Sequence, residues 1–132
     1  LSVNQMLEKY LQDLALELKK LKALLEFESE NVNKGMISTL NFTNPRKDLI
    51  LASISGYYTT ISSWLEGRND TRKEVEALIE DINSLREEIC MLYQNSYRTM
   101  KELYERKSTI PKATFSKYLF KQNNPILVDI KI

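Results

Sequence analysis

Tyr57-Tyr58 and the acidic pair Glu87-Glu88 beside Arg86 are the groups from which this sequence could assemble acid–base chemistry. A phenol or carboxylate works as a general acid or base only when it converges with a partner on one reacting atom. Adjacent residues on a helix point in different directions, so these pairs cannot converge without help from elsewhere. Glu76 with Glu80, and Glu102 with Arg106, are four apart and read as neighbours on a solvated helix surface. With 0 histidines the chain lacks the commonest general base and the commonest zinc ligand. The single cysteine, Cys90, excludes an internal disulfide framework and any multi-cysteine metal site. There is no phosphate-cradling GxxxxGK[ST] loop, no GxSxG elbow and no paired His/carboxylate spacing. A small helical isomerase using arginines and a carboxylate is the enzymatic alternative that remains. The balance points to a non-enzymatic protein with no cofactor and no metal.

Composition narrows the partners as well. Lys+Arg at 19 against Asp+Glu at 18 gives a net charge of +1, so bulk charge recruits neither nucleic acid nor an anionic membrane. At 132 residues and 42% hydrophobic, the chain fits one soluble domain with a tail. The uncharged run LILASISGYYTTISSWL, residues 49–65, falls short of a bilayer span and carries six Ser/Thr hydroxyls. It reads as a buried or partner-facing helix, so no membrane insertion is expected. No basic leader precedes an apolar run, and a cytoplasmic location is the expectation. Cys90 follows a core-seam position and reads as a structural thiol at the core edge.

The elements that would position these groups are helices. Leu7, Leu11, Leu14, Leu18, Leu21, Leu25 and Val32 recur at steps of four and three, and Leu24 and Phe27 widen that face. Glu28 takes the next seam position and weakens the apolar face, and Lys34-Gly35 supplies a stop. Residues 36–42 read as a loop with one helical turn at most. Asn44-Pro45 reads as the start of a second helix, with Ile50, Ile54, Tyr57, Ile61 and Trp64 as its stripe and Leu49, Tyr58 and Leu65 beside it. Ala52, Gly56 and Thr60 form a line of small side chains that would let another backbone approach. Thr71-x-x-Glu74 reads as a capping box for a third helix whose seam is Val75, Leu78, Ile82, Leu85, Ile89 and Leu92. Beyond Leu92, where Ser96 and Thr99 take the seam, the stripe shifts to Tyr93, Tyr97, Met100 and Tyr104. The expected fold is all-α: an antiparallel bundle of three helices, near residues 2–33, 45–66 and 71–107. Residues 1–107 form the bundle, and 108–132 a basic tail or docking segment.

Two readings stand for Tyr93, Tyr97, Met100 and Tyr104: core, or a groove for an apolar partner helix. The same pair of readings holds for the second helix, with Tyr57 and Trp64 as its candidate partner contacts. Over residues 107–132, Lys107, Lys112, Lys117, Lys121 and Lys131 stand against Asp129 alone, and Phe115, Tyr118 and Phe120 are the docking anchors of the tail. The tail contains no arginine, which speaks against a nucleic-acid partner.

The layout resembles the FlgN-type flagellar export chaperones. The likeness lies in LEKYLQDLALELKKLKALL, the interruption NKGMISTL, a helix entered through PRKDLI and the long EVEALIEDINSLREEICMLYQNSYRTM. The resemblance covers residues 5–106 and implies a cofactor-free helical chaperone. Its partners would be the helical C-terminal segments of hook-associated clients and the type III secretion (flagellar export) apparatus. Tyr118 in SKYLF would then be the tyrosine that engages the export gate. The Ser/Thr-rich second helix and the ILVDIKI ending depart from that pattern. The alternative is a homodimeric coiled-coil scaffold in which a second copy covers the surplus apolar face.

Overall fold

A computed structural model describes residues 2–66, 72–106 and 111–113. Three helices account for nearly all of them: α1 (Val3–Asn33), α2 (Thr39–Leu65) and α3 (Lys73–Glu105). No strand occurs among the described residues, and the all-α three-helix bundle is the observed architecture. The tail anchors Phe115, Tyr118 and Phe120 lie outside the described residues, as do Gly67 and Thr71.

The central element is α1, against which both α2 and α3 pack. Its side chains at Leu7, Leu11, Leu14, Leu18, Leu21 and Leu25 are all buried, the outcome of a strict four–three repeat on a 3.6-residue helix. Contacts between α1 and α2 pair early with late residues, as in Tyr10 with Trp64 and Glu28 with Lys47, so those helices are antiparallel. Those between α1 and α3 pair Glu8 with Arg72 and Lys22 with Glu88, so these two run parallel. The path is up, down, up. Ser2 opens α1 with a capping box to Gln5, in which the serine hydroxyl accepts from the Gln5 N–H at 3.2 Å. Gly35, at φ 82°, closes it in the left-handed conformation that its missing Cβ permits.

Two helix starts differ from their sequence expectations. The second helix begins at Thr39, not at Asn44-Pro45, and residues 39–42 are helical instead of a loop. Its opening is built from short i→i−3 bonds, Leu40 N–H to Ile37 and Asn41 N–H to Ser38, so Pro45 sits inside the helix. The extra turn forms because Leu40 is buried with Val32 and Met100, and that burial outweighs the amide bond the proline removes. Pro45→Ala should therefore stabilise the protein by about 2 kcal/mol, restoring an N–H for the Asn41 carbonyl against a small entropic loss. A denaturant midpoint unchanged or lowered in this variant would put the functional start of the helix at Pro45 after all. At α3, Arg72 occupies the cap position in extended geometry with no side-chain cap, so the helix does not begin on a Thr71 capping box.

The third helix also corrects the seam. Its buried positions are Val75, Ile79, Ile82, Ile89, Tyr93, Ser96 and Met100, a single continuous four–three line completed by half-buried Arg86. The displacement after Leu92 therefore does not exist. Leu78, Leu85 and Leu92 are instead a half-buried second row beside that line. Leu49, expected beside the α2 stripe, is 74% exposed, while Leu51 takes the core position.

Candidate recognition groove

The second row of α3 has a counterpart on α1. Leu78 and Leu85 of α3 face Ala15 and Leu16 of α1 across a groove of about 570 Å³. Gln12, Asp13 and Lys19 border it on α1, and Asp81, Ser84 and Glu88 on α3. Leu16, one of the lining residues, is a large apolar side chain left 53% exposed. The two parallel helices meet along one seam, and Ala15 of α1 and Leu78 and Leu85 of α3 pack against the core beside it. Three carboxylates against one lysine make its rim acidic. At one end Lys22 Nζ lies 2.6 Å from Glu88. That hydrogen bond raises the lysine above its ordinary pKa, against a smaller opposing desolvation, with the Glu88 and Glu26 charges adding to the rise.

Of the candidate contacts on late α3, Tyr93 and Met100 are core residues, 1% and 0% exposed. Tyr93 joins the main cluster, and Met100 packs with Val32 and Leu40 in a smaller one. A side chain sealed on all sides offers nothing to a partner, so their expected binding role has no surface. Tyr97 packs half-buried on the smaller cluster, and Tyr104 is half-buried near the end of the helix. Tyr57 and Trp64 flank Tyr10, which stacks on Trp64 at 4.9 Å and meets Tyr57 edge-on at 5.7 Å. Both are half-buried and tie α2 to the start of α1. None of these six lines the α1–α3 groove.

Between the two apolar clusters lies a polar layer that the sequence reading passed over. Glu28 is 1% exposed, Lys47 0% and Thr43 0%. Lys47 Nζ sits 2.6 Å from Glu28 Oε1, and the Thr43 hydroxyl donates to the same oxygen. The available signal was Glu28 at a perfect seam position, which reads as a weakening of the face unless a buried cation answers it. Thr43 and Lys47 had been placed before and just inside the helix start, which hid their shared face. Ser96 of α3, 2% exposed, is a further buried hydroxyl. The layer is closed to solvent and so offers no access for a substrate.

Cys90 is half-buried as a free thiol, with Arg86 Nη1 at 3.7 Å from its sulfur. A second depression of about 390 Å³ lies between the start of α2, at Ile37, Leu40 and Asn44, and residues Pro111 and Ala113. Among the described residues no group of His, Cys, Asp and Glu could hold a metal ion, and no helix is long and apolar enough to cross a membrane. Neither a protein-family model, nor a curated protein, nor a solved structure matches this chain, so the groove is read from its geometry.

Proposed function

We propose that this protein is a non-enzymatic cytoplasmic recognition protein that holds an amphipathic helix in the groove between α1 and α3. The observation that carries the reading is Leu16, a large apolar side chain left half exposed in the lining of a concave surface that also carries Asp13, Asp81 and Glu88. A helix with apolar residues at i, i+3 and i+4 fills such a groove, and lysines or arginines on its flanks meet Asp13 and Asp81. A volume of about 570 Å³ accommodates a few such side chains. The FlgN-type layout supplies the concrete client: C-terminal helical segments of flagellar hook-associated proteins, shielded until export.

The test uses fluorescently labelled peptides against the whole chain. One is a designed amphipathic helix with lysine flanks, and the other is a C-terminal segment of a hook-associated protein. Both should bind the native chain, and Leu16→Glu should weaken each by ~10- to 100-fold, equivalent to about 1.4–2.7 kcal/mol. Because Leu16 is half exposed, its melting temperature should stay within a few degrees. Unchanged binding in Leu16→Glu would remove the groove from the account. Binding of the designed peptide alone would keep the groove and end the flagellar assignment.

A further inference from the structure

The outward face of α2 is built unlike the rest of the surface. Phe42, Arg46, Leu49, Ser53, Gly56, Thr60 and Ser63 follow one another at steps of four and three along it, with Ala52 alongside. Arg46 is the one charged residue in that line, and its guanidinium is folded back over the Phe42 ring at 3.5 Å while donating to the Phe42 carbonyl at 2.8 Å. Phe42 is 48% exposed and Leu49 74%, and Phe27 of α1, 47% exposed, meets Phe42 edge-on at 5.9 Å. At Gly56 a Cβ would meet nothing within 4 Å, so among the described residues no backbone packs closely against that position. Large apolar side chains thus occupy one half of the line and small ones the other.

We propose that this face packs antiparallel against the same face of a second copy, about a two-fold axis beside Ala52 and Ser53. Such an axis pairs positions whose numbers add to the same total. It sets Leu49 opposite Gly56 of the second copy and Phe42 opposite Ser63. Each large side chain then enters the space left by a small one, and each exposed apolar group finds a cover. The pairing needs no ionic complement, which suits a face with its one guanidinium already engaged. This surface lies on α2, whereas the groove above is lined by α1 and α3, so the two can act together.

The contact is small. A helix stretch of about 22 residues is ~33 Å long, and two such faces fall below the ~1,200 Å² of total buried area usual in stable complexes. A dissociation constant on the order of 10–100 µM is therefore expected. Sedimentation equilibrium of the whole chain from about 1 µM to 1 mM should show a reversible monomer–dimer equilibrium. Gly56→Leu should be monomeric throughout while melting at the same or a higher temperature, because the site is open and leucine is the better helix former. A native chain that stays monomeric at 1 mM would overturn the proposal, as would a Gly56→Leu dimer of undiminished affinity. Dimerisation lost in Leu16→Glu but kept in Gly56→Leu would assign self-association to the α1–α3 groove and equally overturn it.

Discussion

Glu28→Ala should cost about 3–5 kcal/mol, close to the whole stability of a marginal domain. The carboxylate is 2.6 Å from a lysine with no solvent exposure, and its removal strands the ammonium in the apolar interior. At roughly 4 °C of melting temperature per kcal/mol, the expected fall is about 12–20 °C. Replacing both charges by apolar groups of similar size, Glu28→Leu with Lys47→Met, removes the stranded charge along with the pair. The double variant should recover most of the loss and could exceed the parent, since a buried ion pair is offset by its own desolvation. Thermal melts of the two single variants and the double variant check this. A Glu28→Ala loss below about 1 kcal/mol would mean that solvent reaches the layer. The polar layer also has an expected role in alignment: it fixes which turn of α1 meets which turn of α2, because a shift by one turn would set Glu28 against apolar side chains.

Tyr93→Ala should destabilise by about 3–5 kcal/mol, whereas Tyr104→Ala should cost about 1 kcal/mol or less. The two residues lie on the same stretch of α3, and only burial separates them. Tyr93 is among the largest fully buried side chains in the bundle, and truncating it opens a cavity that the surrounding leucines and isoleucines cannot collapse to fill. Tyr104 is half-buried beside the end of the helix, where fraying already limits what a contact contributes. Denaturant melts of the two variants at matched concentration give the comparison. Equal, small losses would mean that Tyr93 is a surface contact. The distinction bears on recognition, since a partner can engage only the half-buried rim, Tyr97 and Tyr104, and not the pair that the helix turns inward.

How much of this was legible depends on which physical signal each residue carried. The α1 seam was fully legible, because leucines at four–three spacing satisfy one period and no other. The stop at Lys34-Gly35 was legible because a positive φ is a property of the backbone at that residue alone. The start of α2 was misread because local cap chemistry at Asn44-Pro45 is a real but weak preference. Burial of Leu40 on Val32 and Met100, contacts remote in sequence, outweighed it. The seam of α3 was ambiguous because Val75, Ile82 and Ile89 belong to both candidate lines. Choosing Ile79 and Tyr93 over Leu78 and Leu92 takes knowledge of where α1 lies.

The sequence by itself determined the helical class, the number of helices, the α1 core, the absence of histidine and the exclusion of an internal disulfide framework. These follow from composition and from periodicities measured within a single element. Only the tertiary structure decided that Glu28, Thr43 and Lys47 form one buried layer, that Leu16 stands exposed in the α1–α3 groove, and that Leu49 and Gly56 stand exposed on α2. Each of these depends on the rotation of one helix relative to another. A side-chain pattern with a face wider than its seam fits several rotations, and the choice among them is made by packing all three helices at once.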